Sequence, residues 1–170
     1  MFRFLLGAIS LAAATQALAH ASLETREARV GATYKAVVRV PHGCEGTATT
    51  AVRVKIPDGV IAVKPMPKPG WTLDTVKAAY GKTYSYFHNA KLSEGVVEVS
   101  WSGGKLLDTH YDEFVFQGFL SGQLEPGKTL YFPVVQECEK GVHRWIEIPA
   151  AGKSAEDYQE PAPAVKLLPR

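Results

Sequence analysis

Apolar and polar residues alternate in short runs along most of this chain, and glycine or proline breaks the runs every few residues. A period of two puts alternate side chains on opposite faces of an extended strand, and a half-buried strand needs that pattern. Tyr34, Ala36, Val38 and Val40 alternate with Thr33, Lys35, Val37 and Arg39, and Val52, Val54 and Ile56 alternate with Ala51, Arg53 and Lys55. Pro65, Pro67 and Pro69 forbid regular pairing and mark an extended crossing segment ending at Gly70-Trp71. Thr72 to Tyr80 reads as a short helix or another strand. Val97, Val99 and Trp101 form a face that Ser102-Gly103-Gly104 is expected to stop. Phe114, Phe116 and Leu120, then Leu130, Phe132 and Val134, supply further faces, and a last strand runs over about 142–148. With almost no helical periodicity, this predicts an all-β, immunoglobulin-like sandwich of about seven to nine short antiparallel strands.

Residues 1–19 read as a secretory signal peptide. Arg3 gives a positive start, Phe4 to Ala14 is apolar, and Ala17-Leu18-Ala19 is the small-x-small pattern of a cleavage site. The apolar stretch is shorter than the roughly 20 residues a membrane span requires. Cleavage after Ala19 leaves 151 residues beginning at His20, enough for one domain, 20–150, with 151–170 expected as a loosely packed tail. The mature product is expected in the periplasm, with no membrane span. It carries 18 basic and 17 acidic residues, which gives no field for nucleic acid.

The two cysteines, Cys44 and Cys138, lack CxxC spacing, and in an oxidising compartment such a pair is expected to form a disulfide rather than a thiolate metal site.

A free N-terminal histidine offers two nitrogens from one residue, the α-amine and its own imidazole. Together with a carboxylate oxygen they approximate the tetragonal N,O field that suits Cu(II). Glu24 and Glu27 are the nearby carboxylates, and alternation alone does not choose between them. In the last strand His143, Trp145 and Glu147 share one face, read here as the more polar one, opposite Val142, Ile146 and Ile148. His42, His88 and His110 sit in loops, and no pair has HxH, HxxxH or HExxH spacing, so a catalytic zinc site is not indicated. Asp108 and His110 with a serine would be a generic hydrolase set, and no catalytic residue is expected.

Several segments together resemble the YcnI-like bacterial family, formerly a domain of unknown function (DUF1775). They are His20-Ala21-Ser22-Leu23 with Arg26-Glu27-Ala28, Lys64-Pro65 through Pro69-Gly70-Trp71, Val99-Ser100-Trp101-Ser102-Gly103-Gly104, Val40-Pro41-His42-Gly43-Cys44, Asp112-Glu113-Phe114 and Arg144-Trp145-Ile146. The resemblance implies one Cu(II) ion held by His20, Glu27 and Trp145. The role it implies is copper trafficking or homeostasis, with other copper-trafficking proteins or a membrane copper transporter as partners. A copper-dependent oxidoreductase and a structural immunoglobulin-like assembly module are the alternatives.

Overall fold

The computed structural model describes residues 20–170, so the expected signal peptide lies outside the described residues. These residues form twelve strands and two short 3-10 turns, with no α-helix among them. One sheet is ordered β1-β3-β8-β5 and comprises Ser22–Leu23, Thr33–Val40, Asp112–Leu120 and Val60–Pro65. A second, ordered β11-β10-β4-β7-β6, comprises Val142–Trp145, Val134–Cys138, Thr49–Lys55, Lys91–Leu106 and Thr72–Ser85. A third sheet, β2-β12-β9, joins Glu27–Arg29, Ala164–Leu168 and Thr129–Tyr131.

The alternating faces meet in the core. Tyr34, Ala36, Val38 and Val40 from β3 pack with Val52 and Val54 from β4, Val99 and Trp101 from β7, and Phe114 and Phe116 from β8. The proline-rich crossing segment is held by specific contacts. Trp101 Nε1 donates to the Met66 carbonyl at 3.1 Å, and Lys68 Nζ reaches Asp112 Oδ1 at 2.7 Å while lying 5.1 Å from the Phe114 ring centroid. Trp71 meets Phe114 edge-on at 5.0 Å.

Of the two readings of Thr72 to Tyr80 the structure takes strand, part of the long edge strand β6, which pairs with β7. Elsewhere the structure departs from the sequence reading. Ser102-Gly103-Gly104 does not stop β7, which runs on to Leu106. Gly103 takes φ +77°, and a Cβ on Gly104 would lie 2.1 Å from the Trp71 ring, so these glycines let the strand pass beneath an indole. The segment 151–170 is not loosely packed. Its strand β12 is the centre of the third sheet, parallel to β2 and antiparallel to β9, and buries Val165 and Leu167 in the core. The alternation Val165-Lys166-Leu167 carries that strand, inside a composition dominated by alanine, proline and charge.

Cys44 and Cys138 form a disulfide with Cα atoms 5.8 Å apart, joining the loop after β3 to the end of β10. The expected cross-link is present, and it closes a loop of 94 residues.

Candidate metal site

His20 stands immediately ahead of β1, whose Ser22 and Leu23 pair with Arg39 and Val38. Ala21 and Leu23 are buried, so the segment is fixed to the sandwich by its own apolar residues. The imidazole is half-buried, and its ring centroid lies 5.7 Å from that of Trp145. Its Nε2 is buried without a hydrogen-bond partner. Nδ1 is the ring nitrogen able to close a six-membered ring with an α-amine.

Trp145 ends the edge strand β11, opposite Val134. Its face is the reverse of the one expected. Trp145 is only 3% exposed, while Val142, Ile146 and Ile148 are 43%, 42% and 56% exposed. The cause is a buried polar group that lets this face turn inward. Trp145 Nε1 donates to Gln136 Oε1 at 3.0 Å, and the fully buried Gln136 donates through Nε2 to the His42 carbonyl at 2.6 Å and to Thr49 Oγ1 at 2.8 Å. The Trp145 N–H and both ends of the Gln136 amide therefore have partners, which burial demands. The strand also ends earlier than expected. Ile146 N bonds back to the Arg144 carbonyl, and Glu147 instead pairs with the crossing segment at Pro161.

His143 stacks on Trp145 with centroids 4.8 Å apart and an interplanar angle of 27°. Its Nδ1 lies 2.8 Å from Glu160 Oε1, while Glu160 Oε2 accepts from the Arg144 backbone at 3.0 Å. His42 meets His143 edge-on, centroids 5.6 Å apart. Four rings therefore stand in file: His20, Trp145, His143 and His42. No motif in the sequence places His42 beside His143, and Glu160 is not among the residues read from sequence. Both reach this group through long-range pairing that no local spacing records, His42 beside the disulfide and Glu160 on the segment that crosses β11.

Glu24 is held in an ion pair, its Oε2 3.4 Å from Arg39 Nη2. Glu27 is exposed at the start of β2, opposite Lys166, and has no ion pair among the described residues. A groove of about 650 Å³ runs beside His20, lined by Ser22, Arg26, Glu156 and Pro161 among others, and neither Glu24 nor Glu27 lines it. Thus His20 and Trp145 are in ring contact. Among the described residues, no group of three or more His, Cys, Asp or Glu side chains is arranged to hold a metal.

Two buried tyrosines frame the domain. Tyr34 donates to the Thr25 carbonyl at 2.6 Å, fixing the bend between β1 and β2, and burial pushes its pKa up to about 12. Tyr84 is also raised, first by burial and then by the nearby Asp58 carboxylate. His88 lies in the turn that closes the β6–β7 hairpin.

The model of the domain of unknown function DUF1775 matches residues 20–167 of this chain. The chain belongs to the DUF1775 family. A crystal structure of an uncharacterized protein from Nocardia farcinica, described as having an immunoglobulin-like fold, is similar at 26% identity and a TM-score of 0.64. The similarity covers 88% of this chain and 98% of that one. The DUF1775 domain here is thus an immunoglobulin-like β-sandwich, in agreement with its own strand order. Among curated proteins no match is found.

Proposed function

We propose that this DUF1775 protein is an exported Cu(II)-binding protein of copper trafficking or homeostasis, with the ion held at the mature N-terminal histidine. The observation that carries the reading is the setting of His20. It is pinned by β1 against Trp145, and its Nε2 is buried without a hydrogen-bond partner. Cleavage after Ala19 would give this residue an α-amine able to chelate with Nδ1, a pair of nitrogens that suits Cu(II).

Glu27 is the carboxylate best able to complete the set. Glu24 is engaged by Arg39, whereas Glu27 carries an exposed carboxylate without an ion pair among the described residues. Trp145 contributes through its ring face, because its only N–H is donated to Gln136. An aromatic face attracts a cation within about 6 Å of its centroid. One imidazole, one amine, one carboxylate and an indole make a donor set suited to holding an ion, which supports carriage.

Mass spectrometry of the exported protein, followed by electron paramagnetic resonance of its Cu(II) form, tests the reading. A terminus at His20 and a tetragonal spectrum with nitrogen couplings are expected. A terminus elsewhere, or a spectrum of aqueous Cu(II), would overturn it.

A further inference from the structure

We infer that the groove beside His20 is a docking site for an extended segment of a partner polypeptide, which adds as a strand to the open edge of β1. That this partner exchanges metal with His20 rests on the reading above; the docking site does not.

The main chain of β1 defines the occupant. Along an antiparallel pair, residues that bond across the ladder alternate with residues whose N–H and C=O groups point away from it. Ser22 lies opposite Arg39, and the Glu24 N–H bonds to the Val37 carbonyl at 3.0 Å, so Ser22 and Glu24 face β3. Ala21 and Leu23 therefore turn their N–H and C=O groups to the other edge. There these groups have no hydrogen-bond partner among the described residues. Both residues line the groove of about 650 Å³.

The opposite wall, residues 161–164, is committed elsewhere. Pro161 and Pro163 have no N–H, and Ala162 donates its own to the Glu147 carbonyl at 2.8 Å. The Pro163 carbonyl accepts from the Phe132 N–H at 2.7 Å, and Ala164 pairs with Tyr131 of β9. Both walls are thus fixed while the edge of β1 stays open. An unpaired strand edge beside a groove is the setting in which an extended peptide adds a strand.

Charge narrows the segment further. Arg26 and Glu156 line the groove, and neither belongs to an ion pair among the described residues. A segment with one acidic and one basic side chain matches them. β1 is two residues long, so the added strand makes few main-chain bonds and the complex is short-lived. A short-lived complex suits a partner that must leave again. His20 lines the same groove, so the bound segment passes beside the candidate metal ligand.

The probe is a blocked hexapeptide of alternating valines carrying one aspartate and one lysine, titrated into the metal-free exported protein and followed by NMR. Shifts and slowed hydrogen exchange are expected at the Ala21 and Leu23 amides, with smaller shifts along 161–164. N-methylating the peptide backbone abolishes binding. Ala21→Pro, which deletes one outward donor, weakens it about fivefold, as loss of one net hydrogen bond does. Replacing the aspartate and lysine by asparagine and glutamine weakens it about threefold. No binding, shifts confined to other surfaces, or an affinity unmoved by these changes would overturn the docking site. So would concentration-dependent shifts of the Ala21 and Leu23 amides without peptide, which put a second copy of this chain in the groove. If the peptide binds as described while added Cu(II) leaves the His20 signals sharp, the metal reading fails and the docking site stands.

Discussion

Gln136 decides more about the candidate site than its residue type advertises. It is fully buried, and its amide satisfies the Trp145 N–H, the His42 carbonyl and Thr49 at once. Replacing it by leucine keeps comparable bulk but orphans those groups, and a buried unsatisfied polar group costs about 1 to 3 kcal/mol. Gln136→Leu should therefore lower the denaturant midpoint by that order, with altered near-ultraviolet dichroism from Trp145; an unchanged midpoint and spectrum would refute the role. The same residue explains why Trp145 was misplaced from sequence. Polarity of flanking residues marks a solvent face only when no buried partner exists, and Gln136 lies nine positions away. Tyr34 gives a second residue-scale test. The unfolded chain releases the phenolic proton from about pH 10 and the folded one from about 12, so high pH favours the unfolded chain. Stability owed to neutral Tyr34 is complete below pH 10 and lost as pH rises toward 12. Tyr34→Phe should flatten that part of the alkaline unfolding curve, while losing about 1 kcal/mol at neutral pH with the hydrogen bond to Thr25.

Among the elements, β3, β4 and β7 were legible because one face is largely buried and the other largely solvated, which writes a period of two into the residues, whereas β8 is buried on both faces and shows as an apolar, aromatic run. β12 was not, because its two buried residues, Val165 and Leu167, are too few to stand out against Pro161, Ala162, Pro163 and Ala164. Removing 164–170 takes the central strand from its sheet and exposes the core beneath Val165 and Leu167. Each such side chain stabilises by about 1.5 to 3 kcal/mol, so the shortened protein should show little cooperative unfolding; a normal transition would contradict this placement. Gly104 was read as a stop and is instead a passage. Gly104→Ala drives a methyl into the Trp71 ring and should cost about 1 to 3 kcal/mol, measured by thermal or denaturant unfolding. The family-like segments around Trp71, Trp101 and Asp112-Glu113-Phe114 thus serve the scaffold: they fasten the proline-rich crossing segment and do not reach the ring file.

At the scale of the whole molecule, the sandwich brings the start of the chain, the loop after β3 and the edge strand β11 to one place. The Cys44–Cys138 disulfide secures that corner. The pair was legible because only two cysteines are present in an expected exported chain. In the chain-entropy view its loop of 94 residues is worth about 4 to 5 kcal/mol, so Cys44→Ser/Cys138→Ser should lower stability on that order. The candidate ligands were legible in part. His20 and Trp145 are in contact, whereas the grouping of His42, His143 and Glu160 depends on pairings between distant segments. The central claim, that the freed amine of His20 anchors Cu(II), is tested most directly by comparing two forms in one titration. The protein beginning at His20 should take up one tight equivalent, and the same protein carrying one extra residue before it should lose most of that affinity, because its chelating amine has become an amide. Equal tight binding by both forms would contradict the account.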